Sequence, residues 1–183
     1  RLMDYIVTAI RESLASPPTE EAARTAWLRF ILTDLLEYGL QVVEGPAIPA
    51  SLQHTVPERG VTLRPDFVLM FPGEGEERKP GLLVFRWPLY TDFDHNLPAK
   101  APGRTDTWGA SPIERAMTLC REANVPLALV TDTDRFTLVY APRGAAAGWA
   151  TWPSSLFAEE RTLLDSFVSL LSLRRFFGVA AGD

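Results

Sequence analysis

The chain has 183 residues, 46% of them hydrophobic and 22% charged, which is the composition of one soluble globular domain with enough apolar side chains for a substantial core. Its formal charge of -5 opposes the broad positive field of a non-specific nucleic-acid binder and leaves only a local basic patch open to that role. A single cysteine, Cys120, excludes an internal disulfide and a cysteine-rich zinc site, and no apolar run approaches the ~20 residues of a membrane span, so a cytoplasmic protein with no membrane contact is expected.

The predicted elements begin with a helix over 4–14, where Tyr5, Ile6, Ala9, Ile10 and Leu14 recur at helical spacing before Pro17-Pro18 stops it. A second helix, capped by Thr19, is predicted to run to about Tyr38 with Trp27, Phe30, Ile31, Leu35 and Leu36 on one face, and Gly39 stands just past its end. A short strand over 40–43 leads into an irregular, proline-bearing connection that ends at Gly60. Val61 to Phe71 reads as one strand, 72–81 as a solvated hairpin turn, and Leu82 to Trp87 as the returning partner. The stretch 89–109, with prolines and scattered charges, is a long loop of the kind that often carries function.

Ser111-Pro112-Ile113-Glu114 then opens a helix to about Ala123, with serine as cap, proline at the first helical position and glutamate at the third, a capping box. Two short strands over 126–131 and 135–141 flank the polar turn Asp132-Thr133-Asp134 and predict a hairpin. Small residues over 144–148 precede Trp149 and Trp152, and a last amphipathic helix is expected over 157–177.

This element order, with Pro65-Asp66 on one strand, resembles the PD-(D/E)xK nuclease fold. The resemblance implies an α/β architecture, a mixed sheet flanked by helices with extra N- and C-terminal helices, as a single nuclease-like domain over 1–178. Residues 179–183 then read as the start of a linker, and the absence of an initial methionine suggests a piece of a longer chain. Four segments carry a sharper likeness: Trp108-Gly-Ala-Ser-Pro-Ile-Glu-Arg115, Asn124-Val-Pro-Leu-Ala-Leu-Val-Thr-Asp132, Val139-Tyr-Ala-Pro-Arg-Gly144 and Leu173-Arg-Arg-Phe-Phe-Gly178. Over about residues 20 to 178 the chain resembles the N-terminal region of large restriction-modification adenine methyltransferases, including those of BREX- and DISARM-type phage defence. That likeness implies double-stranded DNA and defence-system subunits as partners, and a downstream domain that uses S-adenosylmethionine and flips its adenine out of the duplex.

Asp66 is the leading candidate site residue, since a strand carboxylate is a hard oxygen ligand for Mg2+. Where the nuclease resemblance implies an acid-x-lysine triplet, the second strand reads Phe85-Arg86-Trp87, which has no metal ligand and no lysine to activate a water. A nuclease-active chain therefore needs relocated ligands, for which Asp92, Asp94 and His95 in the long loop and Glu20 or Glu21 on the second helix are the candidates. Glu77-Arg78-Lys79 matches the triplet by letter but falls in the predicted turn. Arg64 and Arg86 are the candidate nucleic-acid contacts, within a wider set that includes Arg104, Arg115, Arg121, Arg135 and Arg143, because the guanidinium fork suits phosphate.

Cys120, among apolar neighbours, reads as a buried thiol. No Gly-x-Ser-x-Gly elbow, Walker-type loop or Rossmann glycine pattern occurs. The expectation is a catalytically inactive nuclease-like module that positions DNA or a partner and holds no cofactor itself. The alternatives are an active Mg2+-dependent endonuclease and a pure protein-interaction module.

Overall fold

A computed structural model describes residues 21–72, 78–98 and 106–177. The predicted helix over 4–14, the Thr19 cap and the candidates Glu20, Glu77 and Arg104 lie outside them. The protein is mixed α/β. Its described parts divide into two compact units, one built from 21–42, 133–135 and 152–177, the other from 43–72, 78–98, 106–132 and 136–151.

A six-stranded mixed sheet is the main feature. Its strands are β1 (Val42–Glu44), β4 (Phe67–Pro72), β5 (Arg78–Arg86), β6 (Leu127–Thr131), β7 (Arg135–Tyr140) and β8 (Gly148–Pro153), side by side in the order β1-β4-β5-β6-β7-β8. β2 (His54–Val56) and β3 (Val61–Leu63) form a separate antiparallel pair. β4 runs antiparallel to β5, β5 parallel to β6, and β6 antiparallel to β7. A parallel pair needs a crossover, and the helix between β5 and β6 supplies it.

The single strand expected over 61–71 is two strands in two sheets. Proline at 65 removes a ladder donor and restricts Arg64, so pairing stops at Leu63 and resumes at Phe67. β5 is longer than its apolar segment, because the polar residues Arg78 and Lys79, assigned by composition to the turn, pair with Pro72 and Phe71. Register shifts between Leu69 and Met70. Gly81 is the unpaired residue of that bulge, and a Cβ there would come within 2.1 Å of the Phe71 ring. β2 and β8 were not expected at all.

The crossover helix spans Pro112–Ala123 and matches its prediction at both ends. The N–H of Glu114 donates to Ser111 Oγ at 3.1 Å and the N–H of Ser111 to Glu114 Oε2 at 2.9 Å, which completes the capping box. Asn124 at φ 55° ends the helix in the left-handed conformation. Its buried face, Ile113, Ala116, Leu119 and Cys120, joins Val68, Met70, Leu83, Phe85, Ala128 and Val130 in one core. Alternation puts those sheet residues on a common face, and Leu82, Val84 and Leu129, on the opposite face, are buried too.

In the other unit the helix Glu21–Phe30 continues as a π-helical stretch over Ile31–Leu35. Thr33 Oγ1 donates to the Arg29 carbonyl at 2.9 Å, a back-bond of the kind that bends helices, and Glu37 at φ 64° and Gly39 at φ 47° then turn the chain. The last predicted helix is likewise two, Arg161–Leu171 and Leu173–Phe177. Leu173 N–H leaves the helical ladder for the Leu36 carbonyl at 2.9 Å, and Tyr38 Oη donates to the Leu171 carbonyl at 2.8 Å. Phe167 packs against Trp152 and Phe157 at ring-centroid distances of 5.8 and 5.1 Å. Among the described residues no helix is long and apolar enough to cross a membrane.

Candidate functional site

Asp66 stands where β4 begins. Its N–H donates to the Val84 carbonyl at 2.8 Å, and its Oδ2 accepts from the Arg86 N–H at 2.7 Å. The register of Phe67 against Val84 thus sets the Asp66 carboxylate beside Phe85-Arg86-Trp87, the segment in which no acid occurs. A cavity of about 300 Å³ opens there, with Thr62, Arg64, Asp66, Arg86, Asp106 and Arg115 in its lining. Arg64 Nη2 donates to the Gly45 carbonyl, which anchors that guanidinium at the rim.

Asp106 is the second carboxylate of this cavity, and sequence reasoning missed it. Arg115 explains its state. Arg115 Nη1 and Nη2 donate to Asp106 Oδ2 and Oδ1 at 2.8 Å each, a bidentate pair, while Arg115 Nε donates to the Ala110 carbonyl at 3.1 Å and Nη2 also to the Trp108 carbonyl. The Trp108 N–H donates to Asp106 Oδ1 at 2.8 Å. The guanidinium carbon lies 5.0 Å from the Trp108 ring centroid and 5.9 Å from that of Trp87, so two indoles flank a side chain that is only 7% exposed. Trp108 to Arg115 is therefore one structural device that caps a helix and ties the preceding chain to it.

These residues do not fit a Mg2+ centre. A divalent ion usually needs one or two carboxylates with open oxygens, and Asp106 has both of its oxygens on a guanidinium. With Arg115 and Asp106 neutralising one another, Asp66 is left as one carboxylate beside two arginines, Arg64 and Arg86, a balance that favours an anion over a cation. The Arg78-Lys79 part of the alternative triplet offers no remedy, because Lys79 stands opposite Phe71, roughly 17 Å along β4 from Asp66 at the usual strand rise.

Asp92, Asp94 and His95 do come together, with ligand-type atoms within 4.8 Å of one another, and all three are exposed. His95 Nδ1 is 3.1 Å from Asp94 Oδ1 and 3.2 Å from Asp92 Oδ1. The hydrogen bond to Asp92 and the two negative charges hold the imidazole above its ordinary 6.5. Asp66 is not in this group. Of the other arginines, Arg143 is drawn to the helix C-terminus, where it donates to the carbonyls of Arg121 and Glu122 at 2.9 and 3.3 Å. Cys120 is buried, and burial pushes its thiol up to about 12.

No protein-family model, curated protein or solved structure matches the chain.

Proposed function

We propose that this chain is a nuclease-like module of the PD-(D/E)xK kind that has lost cutting activity, and that it forms the N-terminal part of a restriction-modification or phage-defence adenine methyltransferase. Its work in this reading is to hold the DNA backbone at the Asp66 cavity for a downstream domain, which alone uses S-adenosylmethionine. The observation that carries the proposal is the state of Asp106: the one other carboxylate lining the Asp66 cavity is bound at both oxygens by Arg115. A hairpin whose first strand is immediately preceded by Pro65-Asp66, followed by a helical crossover to a parallel strand, supports the nuclease-like part. Arg64 and Arg86 at the cavity support the backbone part, since arginine contacts to phosphate position a protein on DNA without reading sequence. Such a local site is compatible with a chain of net charge -5, which a broad basic surface is not.

The test has two arms. Supercoiled plasmid with Mg2+ or Mn2+ is expected to stay intact, and Arg64→Ala with Arg86→Ala is expected to weaken duplex binding by about ten-fold, with the salt slope reduced by about one per lost phosphate contact. Metal-dependent nicking that disappears in Asp66→Ala would overturn the loss of activity and reinstate an endonuclease built on Asp66. Absence of any duplex binding would leave a protein-interaction module.

A further inference from the structure

A second and larger cavity, of about 580 Å³, has Trp108 and Gly109 in its lining and falls within the range of ~300–1,000 Å³ usual for small-ligand sites. Arg59, Asn96, Trp108, Thr118 and Arg121 contribute to its lining. Among the described residues, the guanidinium groups of Arg59 and Arg121, the carboxamide of Asn96 and the indole N–H of Trp108 have no hydrogen-bond or ion-pair partner. Glu114, also in the lining, is engaged through Oε2 by the Ser111 N–H. The two cavities are neighbours by construction: Arg59 lines the second and Gly60 the first, and Arg115, whose guanidinium lies over the Trp108 ring, lines the first while Trp108 lines the second.

We propose that this second cavity takes an unstacked nucleotide of a DNA strand, its base on Trp108 and its phosphate between Arg59 and Arg121. Asn96 supplies a donor and an acceptor for a base edge, the chemistry by which an amide reads an unpaired base. An indole beside cationic side chains is the combination that single-strand binding sites use, because every base has a face to stack and every nucleotide a phosphate to pair. Arg115 locks the Trp108 ring from one side, so the platform exists before the nucleotide arrives and little ordering is required on binding. The inference rests on the DNA-backbone reading of the Asp66 cavity: the duplex is held there, and a strand displaced or frayed from it reaches the neighbouring pocket.

The test uses the 183-residue chain and three probes in fluorescence anisotropy: labelled oligo(dT), a labelled duplex of mixed sequence, and free thymidine monophosphate as competitor. The expected result is tighter binding of the strand than of the duplex and a loss of about ten-fold or more for the strand in Arg59→Ala/Arg121→Ala, with duplex affinity unchanged. Asn96→Ala should weaken strand binding less than the arginine pair does. Because none of these side chains has a bonding partner among the described residues, the unfolding midpoint of each variant should match the parent. Strand affinity untouched by the Arg59/Arg121 variant overturns the proposal, as does a mononucleotide that competes as well as the strand on a per-nucleotide basis. If that variant is silent while Arg64→Ala/Arg86→Ala weakens the duplex, the second cavity fails and the function proposed for the first stands. If neither nucleic acid binds, both fail.

Discussion

Arg115 and Asp106 meet through two parallel hydrogen bonds of 2.8 Å, with the arginine 7% and the aspartate 16% exposed. The pair lines the same cavity as Asp66, and it ties the chain before the crossover helix to that helix. Desolvating two charges is costly, but here two of the three remaining N–H groups of the guanidinium go to the Ala110 and Trp108 carbonyls, which offsets part of that cost.

Breaking this pair should be severe. Arg115→Ala removes the charged, bidentate partner of Asp106 in a largely buried place, and the unfolding free energy is expected to fall by about 3–5 kcal/mol in denaturant titrations. Arg115→Lys keeps the charge but not the fork, and should recover less than half of that loss. A loss under about 1 kcal/mol for the alanine variant, the size of a surface pair, would show that the pair is not buried in solution.

Gly81 and Phe71 make a second, purely steric prediction. Because a Cβ at 81 would meet the Phe71 ring at 2.1 Å, Gly81→Ala should destabilise by about 1–3 kcal/mol, the usual cost of overpacking. Phe71→Leu in the same chain should return part of it, so the double variant is less than additive. Additive losses would mean that the ring does not cover the glycine.

His95 gives a pH-dependent observable. Its imidazole is held above 6.5 by the Asp92 hydrogen bond and the charges of Asp92 and Asp94, so its NMR titration midpoint should lie above that value and drop toward it in Asp92→Asn. A raised folded-state value means that the interaction contributes in full below pH 6.5 and is lost as pH rises through the folded midpoint. An unshifted midpoint in the parent would show that the three side chains do not gather in solution.

Cys120 should be chemically silent in the native protein. With the thiol pushed up to about 12 by burial, a disulfide reagent at pH 8 should react only at the rate of unfolding, and immediately in denaturant. Rapid native-state labelling would contradict the packing of the crossover helix.

Much of the local structure was legible in the residues themselves. Ser111-Pro112 with Glu114, and Asp132-Thr133-Asp134 between apolar runs, each define a boundary by interactions a few residues apart, and both elements stand where predicted. The break at Ser172 and the π-helical stretch after Phe30 were not legible, because the apolar period continues through both and the alternative bonds, such as Leu173 N–H to the Leu36 carbonyl, come from distant chain. Strand β8 was hidden for a related reason: four of its six residues are exposed at the sheet edge, so no alternation marks it.

The same division governs the candidate site. That Asp66 faces a strand without an acid follows from order along the chain, since a hairpin brings neighbouring strands together wherever it folds. That Asp106 comes to the same cavity, and arrives there already bound by Arg115, is a tertiary fact. Sequence spacing says nothing about which of several arginines a carboxylate will meet, because the choice depends on which charge the fold has already removed from water.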